Sequence, residues 1–351
     1  MRYFRGSLLV TVVGLGLGAV LGWEASGTVA GTLATLFIVL VLAVLEVSLS
    51  FDNAVVNATV LRQMDPVWRR RFITWGIAIA VFGMRILFPL LIVAVIAGIS
   101  PWAALLMAAT DPDGYSRTLT SAHVQVAAFG GAFLAMVGLK HFFDHEKDVH
   151  WIRVIEEPLA RLGRIEAGEI GLVLILLGAI SRWLSADEQR TLITAGLAGL
   201  VTYIAVDGLS ALLDAESSTT EQVVRAGLPA FLYLEVLDAS FSFDGVIGAF
   251  ALSNNLFVIA IGLGIGAMFV RSLTILLVQR GTLTEYRYLE HGAFWAIIAL
   301  AAIMFLQTVM HIPEVVTGLI GAGFIALAFI SSLRHNRRET VRSAAGNPAQ
   351  R

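Results

Sequence analysis

The sequence predicts an all-α fold, a polytopic bundle of transmembrane helices built from an inverted-topology repeat. Three observations predict it. Hydrophobic residues make up 57% of the chain against 14% charged, apolar segments of spanning length recur about ten times, and one acidic block occurs twice, in segments of opposite orientation. A soluble domain carries roughly a quarter of its residues charged, so the solvent this chain requires is lipid.

A spanning helix takes about 20 apolar residues. Candidates run from Leu8 to Trp23, Leu33 to Leu61, Phe72 to Ile99, Ala122 to Phe143, Glu169 to Trp183, Leu192 to Leu213, Ala230 to Ser253, Leu256 to Gln279, Gly292 to His311 and Val315 to Leu333. The first follows Arg2 and Arg5, a charge order shared with secretory signals, so that segment reads either as a span or as a signal peptide. Organisation follows from these runs: residues 1–32 hold the first span and its loop, 33–168 a first repeat ending in a cytoplasmic amphipathic segment, 169–229 connecting spans, 230–333 a second repeat, and 334–351 a polar tail expected to be disordered.

Lysine and arginine collect in the cytoplasmic connections of membrane proteins. Arg2 and Arg5, Arg62 with Arg69 to Arg71, Lys140 to Arg164, Arg280 with Arg287, and Arg334 to Arg342 fall on alternate connections. Ten spans with both termini cytoplasmic fit them. The connections at Asp111-Pro112-Asp113 and Ser253-Asn254-Asn255 then lie outside. Between Asp144 and Gly168, Trp151, Ile152, Ile155, Leu159, Leu162 and Ile165 recur at helical spacing, which suits either a helix on the inner membrane surface or a solvated loop helix. The net charge of -2 leaves no basic excess for nucleic acid, and the absence of cysteine excludes disulfides, thiolate metal sites and thiol nucleophiles.

The repeat is the most informative feature. Ser48-Leu49-Ser50-Phe51-Asp52 in the second span matches Ser240-Phe241-Ser242-Phe243-Asp244 in the seventh, and Glu46 falls on Asp238 at the same offset. The next span carries an arginine in each half, Arg85 and Arg271, and the one after begins with a histidine, His123 and His291. Five spans separate the copies, an odd number, so they run in opposite directions, and such repeats place substrate near the bilayer midplane. Intramembrane acids cost about 2.5–3.5 kcal/mol each when unpaired. Glu46, Ser50, Asn53 and Asn57 form one helical stripe that Asp238 and Ser242 begin to repeat, whereas Asp52 and Asp244 join it only where the backbone loosens. Carboxylates, amides and hydroxyls together suit a hard divalent cation such as Mn²⁺, Ca²⁺ or Mg²⁺. The plainer reading pairs these acids with Arg85 and Arg271 as helix contacts. His123 and His291 read as interfacial, Asp207 as a proton relay or an arginine's partner, and Glu235 as a lesser candidate sharing a face with Asp238.

At Glu46-Val47-Ser48-Leu49-Ser50-Phe51-Asp52-Asn53-Ala54, at Phe241-Ser242-Phe243-Asp244 with its run to Asn254-Asn255, and at Tyr288-Leu289-Glu290-His291-Gly292, the chain resembles the TerC family of bacterial membrane proteins, named for tellurite resistance. The resemblance implies a protein of the bacterial inner membrane that exports manganese or serves metal homeostasis and tellurite stress. Gly245, where a serine is commoner, and the long 144–168 segment depart from that family. The expected function is export of a divalent cation, Mn²⁺ first, with Glu46, Ser50, Asp52, Asn53, Asp238, Ser242 and Asp244 around the ion, Arg85, Arg271, Asp207 and Asn57 as charge partners or relay, and no resident cofactor. The alternatives are a scaffold that docks a soluble stress-response protein on the 144–168 segment and an intramembrane aspartyl protease using Asp207 and Asp244.

Overall fold

A computed structural model describes residues 2–345 except 145, 146, 148, 164, 166, 216–226, 251, 282–284 and 311, with the side chains of 2, 77, 80, 210–215, 243, 244, 314 and 339–345 also outside the description. The described residues form helices joined by short turns. In order these are α1 (Arg5–Ser26), α2 (Val29–Leu49), α3 (Phe51–Gln63), α4 (Pro66–Ala78), a π-helical stretch (Ile79–Leu87), α5 (Phe88–Ala97), α6 (Pro101–Thr110), α7 (Pro112–Ser121), α8 (His123–Phe143), α9 (Arg153–Leu162), α10 (Gly168–Ser181), α11 (Ala186–Ala215), α12 (Leu228–Ala249), α13 (Leu256–Arg280), α14 (Leu289–Gln307) and α15 (Glu314–Ala345).

Each of the ten predicted spans corresponds to one of these helices or to a broken pair. Among the described residues seven helices are long and apolar enough to cross a membrane, and a bent pair, Pro66–Gly76 with Val81–Ala97 at 49°, makes an eighth. The protein is a multi-pass membrane protein. The other two predicted spans are of a different kind: α10 has only 14 residues, and α12 carries Glu235, Asp238 and Asp244 in its 22. Two departures follow from local chemistry. The sequence predicts no element between Ile99 and Ala122, yet α6 and α7 form there. Pro101 and Pro112 preset the first turn, while Ser100 Oγ and Asp111 Oδ1 accept the free N–H groups of Ala103 and Gly114 at 3.1 and 3.0 Å. The tail predicted as disordered from 334 instead prolongs α15 to residue 345. There Asn336 Nδ2 bonds the Glu285 carbonyl at 2.9 Å, tying this extension to the segment before α14.

The two ends of the bundle match the charge pattern. At one end Arg62 faces Glu290 at 3.8 Å and Arg287 faces His335 at 3.5 Å. At the other, Asn254 donates to Asp113 at 2.7 Å, joining the two connections expected outside. Direction along the repeats is readable from their contacts. Gly245 of α12 lies against Glu46 and Asp238 bonds Asn53 and Asn57, so α12 runs opposite to α2 and α3. Arg271 meets Ile73 while Gly264 meets Val81, so α13 runs opposite to α4 and the π stretch. Gly130 faces Met304 and Gly138 faces Ile298, which sets α14 against α8. All three corresponding pairs are antiparallel, the geometry of an inverted repeat.

Lipid tails supply no hydrophobic drive between helices, so close approach of small residues holds such bundles together. Gly14, Gly18 and Gly22 form the buried face of α1, which packs against α2 and α13. Ser7 at its start donates to the Met268 carbonyl at 2.8 Å. Gly262 and Gly266 bring α13 onto α2. A methyl group on Gly266 would sit 2.5 Å from Glu46 Cβ and 2.7 Å from the Ala43 carbonyl oxygen. Gly266→Val should therefore lower stability by about 2 kcal/mol through overpacking. The measurement is thermal unfolding in detergent, with Gly16→Val as control, because nothing lies within 4 Å of a side chain there.

Candidate functional site

Glu46 lies in the last turn of α2 and is buried. Helical bonding persists past it, from Ser50 N–H to the Glu46 carbonyl at 2.9 Å, but Ser50 itself leaves helical geometry (φ -102°, ψ 17°) and α3 starts anew at Phe51. Ser50 Oγ donates to Glu46 Oε1 at 2.9 Å. The guanidinium of Arg85 bonds the same oxygen in an ion pair whose side chains are 2% and 6% exposed. Arg85 projects from the π-helical stretch, and π-turns inside spans mark functional positions often enough to direct attention here.

From the other half, Asp238 Oδ1 on α12 accepts two amide N–H bonds, from Asn53 and Asn57 of α3, each at 2.8 Å. Glu46, Ser50, Asn53, Asn57, Asp238, Ser242, Arg85 and Arg271 all line one cavity of about 30 Å³, room for an ion or one to two waters. The repeat is therefore asymmetric in its bonding. Glu46 has its arginine, whereas Asp238 is held by amides that the second half lacks, since Gly245 and Ala249 stand at the positions of Asn53 and Asn57. Three oxygens in this group, Asn53 Oδ1, Asn57 Oδ1 and Ser242 Oγ, are buried with no hydrogen-bond partner among the described residues. Orphaned acceptors of this sort each cost about 1–3 kcal/mol unless water or a ligand meets them. Among the described residues no three His, Asp or Glu side chains converge as a metal cage. The donors are two carboxylates with neutral oxygens.

Other predicted residues lie elsewhere. Asp52 is buried but does not line the cavity. Its carboxylate accepts Asn53 N–H at 2.9 Å and faces α15, where a methyl on Gly321 would come within 2.8 Å of Oδ2. The irregularity at Ser50 is too small to swing Asp52 round to Glu46. The side chain of Asp244 lies outside the described residues. Asp207 pairs with Lys140 at 2.5 Å rather than with an arginine, and both side chains are some 40% exposed.

Over residues 51–339 the sequence matches a family described as "Protein of unknown function (DUF475)". The chain belongs to that family. No curated protein and no solved structure matches the chain. The DUF475 match takes in Asn53, Asn57, Arg85, Asp238, Ser242 and Arg271 and begins just after Ser50, so Glu46 lies beyond its edge.

The 144–168 segment of this DUF475 chain holds a further buried acid that sequence reasoning missed. The amphipathic helix forms as α9 and leaves Val154, Ile155 and Leu162 exposed while turning Glu156 inward, to 1% exposure. That carboxylate accepts N–H bonds from Trp151 at 3.0 Å, Ile152 at 3.1 Å and the Trp295 indole of α14 at 2.9 Å. Burial alone pushes the Glu156 carboxyl upward, but these bonds and neighbouring His291 outweigh it and hold it below its usual value. His291 donates to the Val149 carbonyl at 2.7 Å, so it is neither interfacial nor a ligand but a buried anchor for the segment. Lys147 bonds His141 at the end of α8. Lys147, Val149 and Glu156 thus tie α8 to α14 at one end of the bundle. Burial pushes the Lys147 amine down to about 8, although Glu290, Glu156 and Asp144 pull the other way. Between that value and its ordinary 10.5 the unfolded chain binds the extra proton, so stability should rise as pH climbs through this window. Unfolding temperatures at the two ends of the window should differ less in Lys147→Met than in wild type.

Proposed function

We propose that this protein is a secondary transporter that exports a divalent metal cation, Mn²⁺ first, across the bacterial inner membrane through the cavity between α2–α3 and α12. The observation that carries the reading is that acids from two antiparallel copies of one span, Glu46 and Asp238, line the same small cavity with three unpaired oxygens. Hard oxygen donors without thiols suit Mn²⁺, Mg²⁺ or Ca²⁺. The two carboxylates that the described residues bring to the site bind a passing ion weakly enough to release it, which transport needs more than affinity. The TerC resemblance at Glu46 to Ala54 and Phe241 to Asp244 supports manganese and a part in metal or tellurite stress.

Electroneutrality sets the mechanism. Glu46 is paired with Arg85, and Arg271 lines the same cavity as Asp238, so an entering cation has to displace one guanidinium and meet the field of another rather than fill an already negative hole. Arg85 acts as a tethered counter-ion that holds Glu46 when no substrate is bound, and Arg271 adds a second positive charge to the cavity wall. In proteoliposomes holding a manganese-quenched dye, the wild-type chain should carry Mn²⁺ along its gradient. Vesicles no leakier than protein-free controls would reject the reading. A scaffold role has in its favour the outward apolar side of α9, where Val154 is 86% exposed. Val154→Asp with Ile155→Asp separates the two, since flux should survive that change and docking should not.

A further inference from the structure

Arg271 is buried, yet among the described residues no carboxylate lies within ion-pair distance of it. Its Nε donates to the Ile73 carbonyl at 3.2 Å, its guanidinium sits over the Phe72 ring at 4.9 Å, and Nη2 has no partner. Two acids of α12 act on it electrostatically, Asp238 and Glu235, one turn apart. Glu235 is 9% exposed, and both of its carboxylate oxygens lack a partner. It does not line the ion cavity. Gly76 of α4 marks the space between the two groups: a methyl built there would lie 3.1 and 3.3 Å from the two terminal nitrogens of Arg271 and 3.3 Å from Glu235 Oε1.

A guanidinium pinned only by one backbone bond and one ring, poised between two acids, is arranged to move. We propose that Glu235 is the acceptor to which Arg271 swings when a cation takes Asp238, so that substrate entry draws the guanidinium from between the two acids into an ion pair with Glu235. This rests on the cation-transport reading. Glu235 is then a positioning residue, and the missing side chain of Gly76 is the space through which the swing occurs. Without the Glu235 carboxylate the guanidinium keeps its place over Phe72 on the cavity wall, where its charge opposes the arriving cation, which weakens binding and leaves the transport step itself alone.

The test is Mn²⁺ flux by the full-length protein in proteoliposomes. Glu235→Gln should raise KM about tenfold with kcat changed less than about threefold, and Glu235→Asp should restore most of the loss. Gly76→Ala, which obstructs the swing without altering charge, should raise KM in the same direction and serves where Glu235→Gln fails to fold. With Arg271→Met as background, Glu235→Gln should add nothing further, because the group it receives is gone. An unchanged KM in both Glu235→Gln and Gly76→Ala, or a KM rise that persists undiminished in Arg271→Met, overturns the inference while leaving the transporter intact. A wild-type protein that moves no Mn²⁺ overturns both.

Discussion

Asp238→Asn should abolish Mn²⁺ flux, by about a hundredfold or more, while the protein still folds. A charged ligand contributes near 3 kcal/mol over its neutral isostere in a site closed to water, and roughly 2.7 kcal/mol is a hundredfold in affinity. The substitution is nearly isosteric. Asn53 and Asn57 can still donate to the new amide's oxygen at the distances they now hold, 2.8 Å each, so packing of α3 on α12 survives. Asp52→Asn is the informative companion. Asp52 occupies the repeated block and is the acid a motif search would choose first, yet it faces Gly321 on α15 and not the cavity. Its loss should reduce flux by no more than about threefold. Equal and complete loss in both variants would mean that the ion's path leaves the cavity and passes α15.

The comparison of these two acids shows what was readable in the sequence. The offset that aligns Glu46 with Asp238, and the stripe of Ser50, Asn53 and Asn57, are consequences of helical period, and the cavity contains all of them. The alternation of lysine and arginine grouped the connections into two sets, and the Asp113–Asn254 bond places two connections of one set together while the registers show the repeats antiparallel. The facing of Asp52 was not readable, because period alone places it at the edge of the Glu46 stripe and how far Ser50 breaks the helix depends on what α13 and α15 press against. The π-helical stretch at Ile79–Leu87 has no sequence signal of its own, and it is from this stretch that Arg85 reaches Glu46. Glu156 carries no signal in the sequence, since nothing local reveals that Trp295, far along the chain, offers it an indole N–H. The helices α6 and α7 went unread although Pro101, Pro112, Ser100 and Asp111 carry local capping signals for them, because too few apolar residues follow to make a span.

Arg85→Met should be among the most destabilising single substitutions in the chain, and it should separate stability from affinity. Removing one member of a buried ion pair strands the other charge, at a cost of about 3–5 kcal/mol, whereas replacing both with neutral groups is close to neutral. Glu46 is 2% exposed and would keep only the Ser50 hydroxyl as a donor. Thermal unfolding in detergent should therefore drop steeply for Arg85→Met and recover most of the way in Arg85→Met with Glu46→Gln. The stranded carboxylate also becomes an uncontested ligand. Added Mn²⁺ should stabilise Arg85→Met more than it stabilises wild type, because the cation now meets Glu46 without having to displace a guanidinium, and turnover should slow because nothing is left to expel the ion. If Mn²⁺ stabilises the two proteins equally, Arg85 is a packing partner of Glu46 and takes no part in the exchange of ions.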